Sequence, residues 1–251
     1  MTAPAGSHPA EGPPPPAPGN ATSPPVRPGA DDPAPRAEPG SADGPGAAVT
    51  SARPAAPAGS GAGLLDGLAG WGPAASTVGE FRLVPVVAER DLPLIAGWMN
   101  DPAVAAFWEL AGPDSVTERH LRAQLEGDGR SIPCLGFLDG TVMSYFEIYR
   151  ADLDPLALHY PARPHDTGVH LLLGGAGNRG RGLGSALLRA VADHILDHRP
   201  RCTRVLAEPD LRNTPSVSAF LSGGFRFAAE VDLPDKRAAL MVRDRALRDH
   251  L

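Results

Sequence analysis

The sequence predicts an α/β protein with one mixed β-sheet, preceded by a disordered tail. Three observations support this prediction. An apolar run at 169–173 leads through a glycine-rich basic loop into an amphipathic helix, which is a strand–loop–helix unit. Apolar segments at 132–138 and 141–149 flank Asp139-Gly140, a dipeptide typical of a type I′ hairpin turn. More than half of the 29 prolines lie in residues 1–77, where aliphatic periodicity is almost absent.

The tail is predicted to span residues 1–77 and the folded domain residues 78–251. The tail consists mostly of Ala, Pro, Gly, Ser and Asp, so it buries too little apolar surface to offset its chain entropy. An apolar island at 63–71, GLLDGLAGW, interrupts it. We expect this island to be a linker with weak local structure; docking on the domain or on a partner is the alternative.

Composition narrows the location and the class of partner. The formal net charge of −6 argues against a nucleic-acid binder. No apolar stretch follows a basic start as in a signal peptide, and no run of about 18 apolar residues predicts a membrane span. Cys134 and Cys202 form no disulfide or metal pattern, so we predict a reduced cytoplasmic protein without a metal.

The first half of the folded part is predicted to begin with a strand at 80–88, whose proline favours an edge or a bulge. A helix capped by Asp91 follows to Met99, and a short helical turn covers 104–110. The next helix, at 115–125, has Ser or Thr as its cap, in the pattern of a capping box. The Asp-Gly hairpin comes after it.

The second half contains the central unit and four further elements. Its predicted elements are a helix at 185–196, a strand at 203–208, a helix from Asn213 or Thr214 to Gly223, and strands at 225–231 and 238–243. The resulting order is β-α-α-β-β-β-α-β-α-β-β. We therefore expect a mixed sheet with helices on both faces.

The loop of the central unit, which contains R-G-R-G-L-G at 179–184, is predicted to bind phosphate. Glycines let the backbone approach a ligand, and free N–H groups at a helix start attract an anion. Arg179 and Arg181 add positive charge. The loop lacks the Gly-Lys-Ser/Thr of a P-loop, and its late position and alternating glycines do not fit a dinucleotide fingerprint.

Arg179-x-x-Gly182-x-Gly184 resembles the R/Q-x-x-G-x-G/A signature of the GNAT acetyltransferases, whose loop holds the pyrophosphate of coenzyme A. The resemblance covers about 80–245 and implies the GNAT acyl-CoA N-acyltransferase fold. The motifs E-I-Y at 147–149, D-T-G-V-H at 166–170, E-P-D-x-x-N at 208–213 and L-P-D-K-R at 233–237 are similar to the siderophore-biosynthetic branch. Enzymes of that branch acylate epsilon-N-hydroxylysine or a related N-hydroxylated diamine to form a hydroxamate.

The resemblance implies acyl-CoA as the co-substrate, with acetyl-CoA the first choice. In GNAT enzymes the strand before the loop splays from its parallel neighbour, and the pantetheine arm fills the gap. The residues expected to bind the acyl-CoA co-substrate are Leu172, Leu173, Gly174, Arg179, Gly180, Arg181, Gly182, Leu183, Gly184, Ser185 and Asn213. Asn213 has helix capping as its alternative role.

Acyl transfer from a thioester requires a positioned carbonyl, a neutral nitrogen nucleophile and removal of a proton. His170 is the first choice for general base, because an unperturbed histidine titrates near neutrality. Asp210, at the end of the next strand, is the second choice and shares the proton work or recognises the substrate. The resemblance places a catalytic histidine and aspartate at these two positions. A hydrogen-bonded core histidine and a turn aspartate are the structural alternatives.

Four further side chains are predicted to bind the acceptor substrate. Trp98 and Trp108 would wall its alkyl chain, or belong to the core. Glu147 would meet a cationic amine, or lie on a half-solvated sheet face with its neighbouring tyrosines. Lys236 would pair with a carboxylate, or lie in a solvated turn. A hydroxylamine is far less basic than an alkylamine, so a histidine would suffice as its base.

Two other functions stay open at this point. An aminoglycoside-type N-acetyltransferase would need an acceptor pocket denser in carboxylates. A non-catalytic acyl-CoA-binding module would explain a tail that tethers siderophore-pathway enzymes. The sequence leaves the acyl group open, and it does not choose between hydroxylysine, hydroxyornithine and hydroxycadaverine as the acceptor.

Overall fold

A computed structural model describes Leu65 and residues 67–250 of the chain. These residues contain one eight-stranded sheet with helices on both faces. The strands are β1 (Pro73–Ser76), β2 (Gly79–Pro85), β3 (Ser131–Leu138), β4 (Thr141–Arg150), β5 (Thr167–Leu173), β6 (Arg204–Ala207), β7 (Arg226–Asp232) and β8 (Arg237–Asp244). The helices are α1 (Ala88–Met99), α2 (Pro102–Trp108), α3 (Asp114–Leu125), α4 (Leu183–His198) and α5 (Thr214–Ser222).

The strand order is β1-β2-β3-β4-β5-β6-β8-β7, and β5–β6 is the parallel pair. The predicted mixed sheet is confirmed, with an additional strand at its start. In the predicted hairpin, Asp139 and Gly140 have φ angles of 46° and 78°. Both angles are positive, as a type I′ turn requires. None of the helices that the structure describes is long and apolar enough to cross a membrane.

The ordered part of the domain begins before the predicted boundary at 78. Strand β1 pairs antiparallel with β2 along its whole length. Leu65 and Leu68 are buried in the main core cluster, and the Trp71 ring stacks on His198 with 5.0 Å between centroids. The segment interpreted as a linker therefore packs on the domain, its alternative role. The segment has too few apolar residues for their periodicity to predict that it packs on the domain. The rest of the predicted tail, residues 1–64 and 66, lies outside the described residues.

We expect Leu68→Ala to lower the free energy of unfolding by about 2–5 kcal/mol, the range for a fully buried leucine. Leu68 is 2% exposed, so its removal leaves a cavity under β1 and β2. Leu158, which is 86% exposed, provides the matched control. Leu158→Ala should change stability by less than about 0.5 kcal/mol in the same urea titration. Two equally small changes would contradict the docking of this segment.

Two predicted helix starts are wrong, and the error has the same form in both helices. Helix α1 begins at Ala88, and Asp91 lies inside its first turn, where its carboxylate accepts from Val87 N at 2.9 Å. Strand β2 therefore ends at Pro85. Helix α3 begins at Asp114 after Pro113, so neither predicted Ser nor Thr is its N-cap. In both helices the polar residue taken for a cap lies one or more positions inside the helix.

The pleat of β4 and β5 sorts their side chains between two helical layers. Leu172 packs with the cluster formed by α1 and α3, whereas Val169 packs with the cluster around α4. His170 lies directly opposite Glu147 in the β4–β5 register. It shares a face with Leu172, as predicted, because side chains alternate along a strand.

Strands β5 and β6 separate after a short ladder. They pair only at Thr167↔Val205 and Gly168↔Leu206, although β5 continues to Leu173. From His170 onward, the edge of β5 that faces β6 has no strand partner among the described residues. The gap predicted beside this strand is therefore present.

Candidate active site

Three cavities adjoin one another, and two of them open along this gap. The loop cavity, about 570 Å³, is lined by α2, the glycine-rich loop and α5. The central cavity, about 230 Å³, lies around His170. The outer cavity, about 620 Å³, lies between α3 and β4. The central cavity shares Trp108 and Asn213 with the loop cavity, and it shares His120, Glu147 and His170 with the outer one.

The loop cavity has features that suit an anion. Most of the residues predicted to bind the co-substrate line it: Leu172, Leu173, Arg179, Gly180, Gly182, Gly184, Ser185 and Asn213. Gly182 precedes α4 with a φ of 78°, a left-handed conformation that favours glycine. The N–H groups of the first turn of α4 have no partner within the helix. They and the positive end of the helix dipole can therefore hold phosphate.

Three of the predicted co-substrate residues do not line this cavity. Arg181 is exposed, and Leu183 packs against the core. Gly174 has a packing role, because a Cβ there would lie 2.1 Å from Cε2 of Trp98. Trp98 accordingly belongs to the core cluster of α1 and α3, and it lines none of the three cavities.

Arg179, the first residue of the GNAT signature, is held by a carboxylate. Its guanidinium donates to Asp101 at 3.1 and 2.8 Å, and Asp101 in turn caps α2 by accepting from Ala103 N. This pairing places positive charge at the edge of the loop cavity. A bound phosphate would compete with Asp101 for Arg179.

The centre of the site is a chain of alternating carboxylates and imidazoles. His170 Nε2 lies 2.5 Å from Glu208 Oε1, and His170 Nδ1 lies 2.9 Å from Glu147 Oε2. His120 Nε2 lies 2.5 Å from the other oxygen of Glu147. The carboxylates are buried, whereas 35% of the His170 side chain is exposed to the cavities. Both nitrogens of His170 are therefore occupied by acidic partners.

These carboxylates set the charge of His170. Burial alone would lower the pKa of His170, but the charge of Glu208 and the hydrogen bonds that the ring donates to both carboxylates raise it to about 10. Burial alone would raise the pKa of Glu208, but the charge and hydrogen bond of His170 lower it to about 2. Hydrogen bonds from His120 and His170 likewise hold the pKa of Glu147 well below its usual range, against the effect of burial.

The two carboxylates therefore favour the imidazolium form of His170. The prediction of a general base depended on an unperturbed histidine, and that premise is wrong here because two acidic side chains flank the ring. An imidazolium held by carboxylates can donate a proton. Together, His170 and Glu208 can accept a proton from one group and donate a proton to another.

We expect Glu208→Gln to lower the pKa of His170, because the charge of Glu208 is the largest contribution that raises it. The His170 ring should then titrate at lower pH in an NMR titration of its ring resonances. Glu126→Gln, at the exposed end of α3, should leave the titration of His170 unchanged. An unchanged His170 titration in Glu208→Gln would contradict the ionic chain.

The Glu147 carboxylate accepts hydrogen bonds from four side chains of the protein. Besides the two histidines, its Oε1 accepts from Gln124 Nε2 at 2.8 Å and from the Tyr145 hydroxyl at 2.9 Å. Its predicted alternative, a half-solvated sheet face, does not hold, because Glu147 and Tyr145 are buried. This arrangement indicates that Glu147 orients His170; it is less suited to binding a cationic substrate.

Asp210 lines the central cavity but is not the acidic partner of His170. Its carboxylate accepts from Arg212 N at 2.7 Å and from the Arg212 guanidinium at 2.6 Å. The Arg212 hydrogen bonds lower the pKa of Asp210, although burial opposes them. Among the described residues, the carboxylates that accept hydrogen bonds from His170 are those of Glu147 and Glu208.

The remaining predicted residues lie around the central cavity. Trp108 meets the rings of Tyr145 and His170 edge to face, at centroid distances of 5.6 and 6.0 Å. Lys236 places its Nζ 3.9 Å from Glu208 Oε1. Asn213 caps α5 by accepting from Ser216 N, and it also lines the cavity, so its two predicted roles are compatible.

The sequence analysis missed His120, Gln124 and Glu208 as site residues. Glu208 stands in the same E-P-D motif as Asp210, so the motif itself indicated the position. His120 and Gln124 are four residues apart and share one face of α3. That helix is mostly polar, and its sequence does not show which face meets the sheet.

The glycine-rich anion site, the splayed parallel strands and the ionic centre between them define a class of acyl-transfer enzyme. The profile described as "Acetyltransferase (GNAT) domain" matches residues 87–233. The chain belongs to the GNAT acetyltransferase family and is an N-acyltransferase.

Several curated proteins are similar to this chain. Lysine N-acyltransferase MbtK of Mycolicibacterium paratuberculosis is 38% identical over 154 residues, which cover 61% of this chain and 69% of that protein. N(6)-hydroxylysine O-acetyltransferase of Escherichia coli is 34% identical over 166 residues, or 66% of this chain and 52% of that protein. Hydroxyornithine transacylase SID3 of Ajellomyces capsulatus is 35% identical over 157 residues, or 62% and 36%.

Solved structures share the fold. A Bacillus halodurans protein superposes with a TM-score of 0.65 at 30% identity, covering 72% of this chain and 94% of that one. Aminoglycoside acetyltransferase AAC(6')-Ib, in complex with coenzyme A and kanamycin, gives a TM-score of 0.57 at 25% identity, covering 68% and 96%. The predicted GNAT fold is confirmed.

Proposed function

We propose that this enzyme transfers a short acyl group from acyl-CoA to the nitrogen of an N-hydroxylated amine such as epsilon-N-hydroxylysine, forming a hydroxamate for siderophore biosynthesis. The observation that carries the proposal is the Glu147–His170–Glu208 centre at the junction of two cavities. Two relatives are named for hydroxylysine and hydroxyornithine, which supports an N-hydroxylated acceptor, and a third is named a lysine N-acyltransferase, which supports a lysine skeleton.

Acyl-CoA would occupy the loop cavity, with acetyl-CoA the first choice of donor. Its pyrophosphate would meet the first turn of α4 at Gly182, Gly184 and Ser185. Its pantetheine amides would pair with the free edge of β5. The acyl group would then point into the central cavity, whose 230 Å³ between Trp108 and Phe220 favours a short acyl chain.

Proton transfer would pass through the His170–Glu208 pair. As the hydroxylamine nitrogen bonds to the thioester carbonyl carbon, its proton goes to the Glu208 carboxylate. Once protonated, Glu208 no longer binds the Nε2–H of His170 as an anion, and this N–H gives its proton to the sulfur as the carbon–sulfur bond breaks. The proton that Glu208 took from the substrate nitrogen then passes to His170 Nε2, which lies 2.5 Å from Glu208 Oε1, so the pair ends as it began.

This centre suits a hydroxylamine better than an alkylamine. With His170 held between two carboxylates whose pKa values are lowered, the centre offers only weak bases to an alkylammonium. A hydroxylamine is already largely neutral at pH 7. Its nitrogen becomes acidic only after it has attacked the carbonyl, and a weak carboxylate base is then sufficient.

Thiol release from acetyl-, succinyl- and malonyl-CoA tests the proposal. Each donor is offered epsilon-N-hydroxylysine, lysine and kanamycin as acceptors. We expect turnover with the hydroxylamine and little with lysine, and the most efficient donor identifies the acyl group. Turnover of lysine alone, or of kanamycin alone, would contradict the proposal.

The aminoglycoside alternative is less compatible with the charges of the site. Its support is the fold shared with AAC(6')-Ib at 25% identity. In the outer cavity, however, Arg130 and Arg150 already pair with Asp128 and Asp152, so fewer carboxylates remain to bind a polycation. A non-catalytic binding module would not require the buried Glu147–His170–Glu208 centre, so this centre favours an enzyme. An assembly with other pathway enzymes through the tail stays a prediction.

A further inference from the structure

We infer that the outer cavity recognises the amino-acid head group of the acceptor, with Arg130 binding its α-carboxylate and Asp128 its α-ammonium. The inference rests on the proposed function. It narrows the acceptor from N-hydroxylated amines in general to N-hydroxylated α-amino acids.

The dimensions of the cavity support this assignment. Its inner end is lined by His170, Glu147 and His120, and its far end by Asp128, Arg130 and Asp154. Pro133 lies opposite Glu147 in the β3–β4 register, and Arg130 precedes it by three residues. The ladder continues to that point, since Arg150 N donates to Arg130 O. Arg130 therefore lies about 10 Å along the strand from Glu147, at about 3.3 Å per residue.

An extended hydroxylysine covers most of that span, and the long Arg130 side chain lines the cavity that the substrate would enter. The hydroxylysine side chain separates the hydroxylated nitrogen from the α-carbon by about 6 Å, and the carboxylate lies about 8 Å away, from standard bond lengths. A nitrogen placed at His170 would therefore bring the head group to the far end of the outer cavity. The side-chain methylenes would pass Tyr149 and Ala123 on the way.

The charges at the far end can exchange partners with a zwitterion. The Arg130 guanidinium donates to both oxygens of Asp128, at 2.9 and 2.8 Å through Nε, and through Nη1 to the Leu153 carbonyl at 2.9 Å; the Arg130 and Asp128 side chains are 49% and 54% exposed. An exposed pair of this kind contributes little to stability. A substrate carboxylate can therefore replace Asp128 on Arg130, which frees Asp128 for the substrate ammonium.

The second arginine of the cavity has a different role. Arg150 is buried, and it donates to both oxygens of Asp152 at 2.7 Å. This fixed pair holds the end of β4 and is not exchangeable. Arg130 is thus the arginine at the outer cavity whose ion pair is local and exposed.

The test compares two hydroxylamines that differ by the α-carboxylate, epsilon-N-hydroxylysine and N-hydroxycadaverine. We expect Arg130→Gln to lower kcat/KM for epsilon-N-hydroxylysine about 10- to 100-fold, mainly through KM, because a charge-assisted pair is lost. Turnover of N-hydroxycadaverine should change less than about twofold, which also shows that the variant is folded. Arg122→Gln is the matched control, since Arg122 pairs with Glu118 and Glu126 on α3 and does not line the cavity.

Equal losses for both acceptors, or no loss for either, would overturn the assignment. If Arg130→Gln does not fold, the unaltered enzyme supplies the answer: it should prefer epsilon-N-hydroxylysine to its methyl ester by a similar factor, and equal use of the two would overturn the inference. Failure of the proposed function is distinguishable, because the unaltered enzyme would then release no CoA with any hydroxylamine.

Discussion

His170→Gln is expected to reduce kcat by about 100- to 10,000-fold, the range for loss of a positioned acid–base group. Glutamine retains hydrogen-bonding capacity but cannot carry a proton between Glu208 and the departing thiol. The buried carboxylates lose the cation that lowers their pKa values, so they should take up protons and keep the site folded. Thiol release under saturating substrates measures the effect.

Binding of coenzyme A separates the chemical role from a structural one. The loop cavity does not include His170, so the dissociation constant of coenzyme A should change less than about threefold in His170→Gln. His159→Gln, an exposed histidine that lines none of the cavities, should retain full kcat. A His170→Gln enzyme that keeps more than about a tenth of its kcat would contradict the proposed proton transfer.

Gly182→Asp is expected to weaken acyl-CoA binding about 10- to 100-fold more than Gly182→Asn does. The two replacements share the strain of a φ of 78°, which aspartate and asparagine tolerate better than other side chains. In both variants the added Cβ has open space, since nothing lies within 4 Å of a Cβ at this position. Their difference is one negative charge beside the proposed pyrophosphate, worth about 1–3 kcal/mol at close range.

Calorimetric titration with coenzyme A measures this difference. We expect the Gly182→Asp enzyme to recover part of its affinity for dephosphorylated pantetheine ligands, because these lack the repelled charge. Equal affinities of the aspartate and asparagine variants for coenzyme A would place the pyrophosphate elsewhere.

The sequence predicted those elements whose signals are local. Asp139-Gly140 identifies a hairpin because a type I′ turn requires two positive φ angles. The loop at 179–184 identifies an anion site because glycine spacing and helix start coincide there. The position of His170 follows from alternation along an apolar strand. In each case neighbouring residues contain the whole physical cause.

The parts that could not be predicted depend on distant residues. His170 differs from a free histidine because Glu147 and Glu208, 23 and 38 residues away, lie on both sides of its ring. Whether Glu208 or Asp210 meets His170 depends on where β6 ends, at Ala207, and no local pattern sets that point. The docking of Leu68 likewise depends on a core that other segments build.

Analysis of the product tests the central claim most directly. The enzyme is incubated with acetyl-CoA and epsilon-N-hydroxylysine, and the product is examined by mass spectrometry and by its colour with ferric iron. We predict one N-acyl hydroxamate, which gives the ferric complex, for each CoA released, and no comparable product from lysine. An O-acyl ester that gives no ferric hydroxamate colour, or faster transfer to lysine or kanamycin, would contradict N-acylation of a hydroxylamine at the His170 centre.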